Sequence, residues 1–129
     1  MSTHLLKTLI LLSTIMAGSA YADSTVDNLL TAFSQQGAGP FTAAAGGELW
    51  QQDHNGRSCS LCHGQDVSKP GKHANTGKLI DPMAPSVNPD RLTDQAKVEK
   101  WLFRNCRWTL GRECTAQEKG DVLTWLSQQ

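Results

Sequence analysis

Apolar residues recur at helical spacing in four stretches of the chain, and no stretch alternates apolar and polar positions as a half-buried strand would. The first stretch follows Asp23 and Ser24, which can cap a helix N-terminus. Its apolar positions are Val26, Leu29, Leu30 and Phe33. Residues 23–40 are therefore predicted to form an N-terminal extension helix and the turn after it. A second helix is predicted from about Phe41 to Gln52.

The C-terminal third of the chain predicts two more helices. Thr93 can cap a helix that runs from about Asp94 to Cys106. Thr115 and Glu118 have the spacing of a capping box, in which each side chain accepts the backbone N–H of the other residue, so they are predicted to open the last helix. That helix is expected to bury Val122, Leu123 and Leu126. The whole pattern predicts an all-α domain.

The second and last helices are predicted to cross closely. Gly46 has no side chain and so allows two backbones to approach. Trp50 would fill the space beside the crossing, and Trp125 of the last helix is expected to pack toward it. We interpret these residues as packing residues.

Residues 64–89 show no sustained periodicity. This stretch contains four of the five prolines, namely Pro70, Pro82, Pro85 and Pro89. Prolines without periodicity predict a loop, and a loop of this length is typically functional or disordered. We expect it to wrap around a bound group.

The N-terminus predicts export from the cytoplasm. Residues 8–18 form an apolar run after a lysine, and Ala20 and Ala22 then have the small-x-small pattern of a cleavage site. The run is too short to span a bilayer core of about 30 Å. Residues 1–22 are therefore predicted to be a signal peptide, and residues 23–129 a periplasmic domain with no stable membrane insertion.

Charge is distributed unevenly along the mature domain. The sequence has 12 basic and 12 acidic residues, and one basic residue lies in the signal segment. Residues 23–56 contain four acidic and no basic residues, whereas residues 57–129 contain 11 basic and 8 acidic residues. A two-ended distribution favours oriented docking to a protein, and we expect no nucleic-acid partner.

The run Cys59-Ser60-Leu61-Cys62-His63 is the main candidate for chemistry. Two thiols three positions apart on a short helix can form thioethers to the two vinyl groups of one haem, and the next residue then lies under the ring. A zinc site would need further ligands at finger-like spacing, and a thiol redox pair would need a thioredoxin-like frame. The sequence has neither. We predict one covalent haem c, with Cys59 and Cys62 as tethers and His63 as the proximal iron ligand.

Other residues are placed around this haem by the pattern. The loop is expected to contact the haem edge through Leu79, Ile80, Met83 and Val87. On the third helix, steps from Val98, Trp101 and Leu102 all reach Asn105, whose amide needs a partner because an unpaired buried amide costs a few kcal/mol. A backbone carbonyl or a haem propionate could be that partner. The opposite side carries Lys97, Lys100, Arg104 and Arg107. That stripe is either a docking surface or a solvated face.

With these elements placed, residues 46–127 resemble a class I cytochrome c, and more narrowly the sphaeroides haem protein (SHP) type, a family also known as DUF1924. The motifs are CSLCHGQDV at Cys59–Val67, TGKLIDPMAPSVNPDRLTD at Thr76–Asp94, VEKWLFRNC at Val98–Cys106, and GRECTAQEKGDVLTWL at Gly111–Leu126. The resemblance implies class I cytochrome c-like helices wrapped around one covalent c-type haem.

The resemblance also implies roles for individual residues. His63 and Asn105 would be the axial ligands of the oxidised protein, and Cys106 and Cys114 would form a disulfide. The amide would leave the iron on reduction and open a site for oxygen, nitric oxide or carbon monoxide. Electrons would come from a dihaem c-type cytochrome. A physical reason supports this, since an amide oxygen is a hard, weak ligand that prefers ferric iron.

Met83 keeps a second function open. In ordinary class I cytochromes c a loop methionine is the sixth ligand, which would make the protein a plain electron carrier. If Met83 is not a ligand, it is expected to pack against the haem edge. His54 and His73 are expected to lie on surface loops rather than to bind the iron. We expect an electron-transfer and gas-binding protein rather than a dedicated enzyme, with oxygen or nitric oxide turnover left open.

Overall fold

The computed structural model describes residues 18–129, so the predicted signal peptide lies almost wholly outside the described residues. No helix in this part of the chain has both the length and the apolar character needed to cross a membrane. The elements in chain order are α1 (Gly18–Gln35), α2 (Ala43–Gln51), α3 (Cys59–His63), β1 (Gly71–Lys72), β2 (Leu79–Ile80), α4 (Gln95–Leu110) and α5 (Ala116–Leu126). The predicted helical architecture is confirmed, with differences at particular ends.

The crossing of α2 and α5 forms the centre of the packing. A Cβ added to Gly46 would collide with the carbonyl oxygen of Asp121 and lie 2.8 Å from Cβ of Trp125. The Asp121 carboxylate is buried and accepts the backbone N–H of Thr42 at 2.7 Å, which ties the start of α2 to α5. The close crossing predicted from Gly46 is therefore confirmed.

Helix α1 lies across this core and supplies its most buried aliphatic residue, Leu29, which meets Leu123 of α5 in the same cluster. The helix begins at Gly18 rather than at the predicted Asp23, so it runs past the predicted cleavage position. The capping box is confirmed in α5, where the Thr115 hydroxyl accepts the backbone N–H of Glu118 and the Glu118 carboxylate accepts that of Thr115.

Two predicted ends of α4 were wrong. Asp94, not Thr93, is its N-cap, because the Asp94 carboxylate accepts the backbone N–H of Lys97 at 3.0 Å. The helix also continues one turn beyond Cys106 to Leu110, since no residue that breaks a helix occurs before Gly111, which adopts a left-handed φ of 73°.

The proline-rich loop is not wholly irregular. β1 and β2 form a short antiparallel pair in which Gly71 lies opposite Ile80 and Lys72 opposite Leu79. Strands of two residues are too short to produce a detectable alternation, which is why the sequence predicted only a loop.

Candidate haem-binding site

Helix α3 presents the two predicted tether cysteines one turn apart. Ser58 caps this short helix by accepting the backbone N–H of Leu61 at 3.0 Å. Cys59 and Cys62 are both free thiols and half-buried. Burial raises the pKa of the Cys59 thiol to about 11. Because neither sulfur is in a disulfide, both are available in the described structure for thioether formation.

His63 ends α3 and packs against Trp50 of α2. The two ring centroids are 5.4 Å apart, with the planes tilted by 41°. Burial, with smaller contributions from the charges of Arg91 and His73, lowers the pKa of His63 to about 4. The imidazole is therefore neutral at physiological pH, which is the form that binds iron.

Trp50 has a second role that the sequence did not reveal. Its indole N–H donates to the carbonyl oxygen of Gly64 at 2.9 Å, and its ring also contacts Trp125 at a centroid distance of 5.1 Å. Trp50 is only 3% exposed. It therefore fixes the turn that follows His63 and joins it to the α2–α5 crossing.

The β1–β2 pair packs directly on α3. A Cβ added to Gly71 would collide with the carbonyl oxygen of Cys62 and lie 2.8 Å from Cα of His63. The backbone N–H of Ala74 donates to the Cys62 sulfur at 3.3 Å. Gly71 is thus required at this contact, and only the close approach seen in three dimensions identifies it.

Met83 lies in a turn that is held to the segment after His63. Its backbone N–H donates to the carbonyl oxygen of Val67 at 2.9 Å, and Val67 is buried. Arg91 donates to the carbonyl oxygens of Pro82 and Asp81 at 2.8 and 2.7 Å. The half-buried Met83 side chain packs against the core cluster.

Asn105 lies on the inner side of α4. Its side chain is half-buried, the neighbouring Cys106 and the later Thr109 are buried, and Leu102 packs against the core. The Asn105 amide has no hydrogen-bonding partner among residues 18–129. The structure joins Cys106 to Cys114 in a disulfide, with Cα atoms 5.5 Å apart, directly after Asn105. The predicted backbone-carbonyl partner of this amide is therefore not found.

The outer side of α4 combines cations with aromatic rings. Trp101 was predicted on the inner apolar face, and this was wrong: it is 49% exposed, with the charges of Lys100 and Arg104 each 5.4 Å from its ring centroid. Arg107 lies 5.3 Å from the ring of Phe103. We call Lys97, Lys100, Trp101, Phe103, Arg104 and Arg107 the basic-aromatic face of α4.

Several apolar side chains that a haem could cover are exposed. They are Leu61 (52%), Leu79 (72%) and Val87 (53%). Exposed apolar groups of this size mark binding surfaces when they cluster, and Leu79 and Val87 belong to the predicted haem-contacting loop. The Nδ1 atom of His63 is buried without a partner. Two free thiols, a neutral imidazole, an unpaired amide and exposed apolar loop residues together fit a haem c.

The remaining histidines do not add to this set. His73 is exposed, and its Nδ1 accepts the backbone N–H groups of Asn75 and Thr76 at 3.3 Å. His54 is half-buried rather than on the surface as predicted, and its Nε2 is buried without a partner. Within residues 18–129, no three His, Cys, Asp or Glu side chains come together as a metal site.

The chain is similar to c-type cytochromes of known structure. Residues 36–126 match the family described as a domain of unknown function, DUF1924. Cytochrome c-type protein SHP of Cereibacter sphaeroides is 43% identical over 126 residues, which cover 93% of this chain and 97% of the relative. The structure of oxidised SHP, described as an oxygen-binding cytochrome c, superposes with a TM-score of 0.75 at 43% identity and covers 81% of this chain and 96% of that one.

A more distant relative has the same fold. The solution structure of cytochrome c'' from Methylophilus methylotrophus, a protein described in connection with haem-ligand detachment, superposes with a TM-score of 0.69 at 27% identity. The superposition covers 85% of this chain and 94% of that one.

Proposed function

The chain belongs to the DUF1924 family, which places it among c-type cytochromes related to SHP, and from this premise we propose that it is an exported electron-accepting haem protein that binds small diatomic gases. The predicted all-α class I cytochrome c-like fold and the single covalent haem c are shown by these relatives. The proposal concerns the residues that hold the haem and what they do.

Three residues of α3 and its end hold the cofactor in this proposal. Cys59 and Cys62 form the thioethers, and His63 binds the iron as a neutral imidazole. A haem held by these residues would supply an iron that changes between ferric and ferrous states and can bind a further ligand. Trp50 packs against the imidazole ring, and the absence of a side chain at Gly71 lets β1 pack against the backbone of Cys62 and His63.

Asn105 is the proposed sixth ligand of the ferric protein. Its half-buried amide, which has no hydrogen-bonding partner in the described part of the chain, is the observation that carries this proposal. An amide oxygen is a hard, weak donor and so binds ferric iron better than ferrous iron. Asn105 would therefore bind the oxidised iron but not the reduced iron, which would leave the reduced protein able to bind oxygen, nitric oxide or carbon monoxide. Relatives described as binding oxygen and as detaching a haem ligand support this behaviour.

The second candidate function is an electron carrier in which Met83 stays bound in both redox states. The structure favours it less, because the Met83 backbone is hydrogen-bonded to Val67, only four residues after His63 along the chain. Arg91 further fixes the preceding proline carbonyl. A residue held to the same segment as His63 fits a packing role better than the role of a second iron ligand.

Absorption spectra of the ferrous protein with and without carbon monoxide test the two candidates. We expect a high-spin ferrous haem that binds carbon monoxide quickly. Asn105→Ala should open or hydrate the ferric site and leave ferrous carbon monoxide binding unchanged or faster, whereas Met83→Leu should change little. A low-spin ferrous spectrum that ignores carbon monoxide, and that Met83→Leu alone abolishes, would establish the electron carrier instead.

The electron donor in this proposal is a dihaem c-type cytochrome with an acidic surface. The basic-aromatic face of α4 offers exposed cations on the helix that also carries Asn105. Electrostatic docking accelerates association and weakens as salt rises. We expect Lys100→Glu to slow electron transfer by about threefold to tenfold at low salt. A rate independent of both salt and Lys100→Glu would leave this face as solvated surface.

A further inference from the structure

One arginine joins the haem-attachment segment to the helix that carries Asn105. Arg57 lies two residues before Cys59, and its Nη1 donates to the carbonyl oxygen of Trp108 at 2.9 Å. The carbon at the centre of its guanidinium group lies 5.1 Å from the centroid of the Trp108 ring. Trp108 follows Asn105 by three residues, which is about one helical turn.

Three interactions stabilise this contact: a hydrogen bond, a helix-dipole interaction and a cation–π contact. Trp108 is in the last turn of α4, which ends at Leu110, and carbonyl groups there lack an intrahelical partner. A cation near a helix C-terminus is also stabilised by the helix dipole. The guanidinium plane adds a cation–π contact with the indole ring. A lysine at this position could supply the charge but not the planar donor that stacks and donates together.

The contact reaches the sixth-ligand position through a rigid part of α4. The Cys106–Cys114 disulfide closes the loop that contains Trp108, so Trp108 cannot move freely relative to Cys106 and its neighbour Asn105. Arg57 therefore couples the position of the Asn105 turn to α3. A second long-range hydrogen bond lies just before the other end of α4, where Thr25 of α1 donates to the carbonyl oxygen of Thr93 at 3.1 Å.

We propose that Arg57 is a positioning residue that holds the last turn of α4 toward the haem and so sets how readily Asn105 leaves ferric iron. This rests on the proposed function, because it requires Asn105 to be the sixth ligand. The contact is exposed to solvent, so its effect on ligand release is modest, about threefold to tenfold.

The rate of cyanide binding to the ferric holoprotein tests the proposal, because cyanide can enter only after the sixth ligand has left. Arg57→Gln should raise that rate about threefold to tenfold, and Arg57→Lys should give a smaller increase. Ferrous carbon monoxide binding should stay within about twofold of wild type. Arg112→Gln is the matched control, since this exposed arginine lies beside the end of α4 but pairs with Glu118 of α5, and it should leave the cyanide rate unchanged.

The same measurement in the Asn105→Ala background separates the two proposals. If Arg57 acts through Asn105, Arg57→Gln should have no further effect there. The role of Arg57 alone is overturned if Asn105→Ala accelerates cyanide binding but Arg57→Gln leaves the cyanide rate unchanged in the wild-type background. It is also overturned if Arg57→Gln raises that rate equally with and without Asn105. An Asn105→Ala variant that leaves the ferric spectrum and cyanide rate unchanged overturns the proposed function and the role of Arg57 with it. Urea unfolding of each variant checks that the fold is intact.

Discussion

The attachment region, formed by α2, α3 and α5, and the helix α4 are built in opposite ways. Five residues of α5 are buried, and Trp50 of α2 is almost completely enclosed between His63 and Trp125. In α4, which is longer, only Cys106 and Thr109 are buried. One region is fixed by the close backbone crossing of α2 and α5, while α4 packs against the core through one narrow side that includes Val98 and Leu102.

This difference matches the tasks of the two proposed iron ligands. In the proposed function His63 stays bound in both redox states, and its ring packs against the buried Trp50. In the same proposal Asn105 binds and releases, and it lies on a helix held by the core contact of Leu102, by the disulfide and by Arg57. A release step needs an element of low local stability. The comparison therefore predicts large stability effects in the attachment region and ligand-exchange effects in α4.

The largest expected effect is at the α2–α5 crossing. Gly46→Ala places a Cβ against the carbonyl oxygen of Asp121, which is backbone and cannot turn away, so it should destabilise the holoprotein by about 3 kcal/mol or more. Gly47→Ala is the control, because its Cβ would meet only the Trp125 side chain at 3.1 Å and should cost less than about 1 kcal/mol. Urea unfolding measures both, and equal losses would mean that the crossing is not tightly packed.

The second effect should separate stability from ligand exchange in α4. Replacing both Cys106 and Cys114 by Ala removes a constraint on a short loop and should cost about 2–3 kcal/mol. Because Asn105 precedes Cys106, ferric cyanide binding should also accelerate. A destabilised variant with an unchanged cyanide rate would show that the bridge stabilises the fold without holding the amide.

Substitutions at two tryptophans compare the stability of the two regions directly. Trp50→Phe removes the hydrogen bond to Gly64 and leaves a buried void, so we expect a loss of about 2 kcal/mol. Trp101→Phe, on the exposed side of α4, should cost less than about 0.5 kcal/mol. Calorimetry of the two holoproteins gives the comparison, and a larger loss for Trp101→Phe would contradict the assignment of the rigid region.

Local signals in the sequence predicted most of this architecture. The Thr115 capping box depends on residues close together in the chain. So do the helical spacing of apolar residues around Leu29 and the separate spacing around Leu123. Each of these signals could therefore be recognised in the sequence. Gly46 also indicated a close crossing correctly. The C-X-X-C-H run predicted an attachment helix because thioether chemistry fixes that spacing, and a short helix does form there.

The remaining features depend on pairs that the sequence does not connect. Trp50 and Gly64 are 14 residues apart, and Arg57 and Trp108 are 51 residues apart. No periodicity relates such residues, so the donor roles of Trp50 and Arg57 became visible only in the fold. The predicted position of Trp101 was wrong for a related reason. Helical spacing shows which residues share a side of α4, but the neighbouring elements decide how many of those residues are buried.

The smallest expected effect is a pH dependence at the end of the disulfide loop. The two-point ion pair with Arg112, at 2.8 Å on each arm, lowers the pKa of Glu118 to about 2, below its usual range near 4.3. A lowered folded-state pKa stabilises the protein above the unfolded-state value, and this stabilisation is lost as pH falls from about 4.5 toward 2.

Glu118→Gln keeps an oxygen for the Thr115 capping box but loses the charge, so urea midpoints measured between pH 4.5 and 2.5 should fall less steeply than in wild type. Glu113→Gln, at a neighbouring carboxylate that has no hydrogen bond or ion pair within the described residues, should keep the wild-type slope. An unchanged slope for Glu118→Gln would mean that this exposed pair is screened by solvent and that packing alone joins the loop to α5.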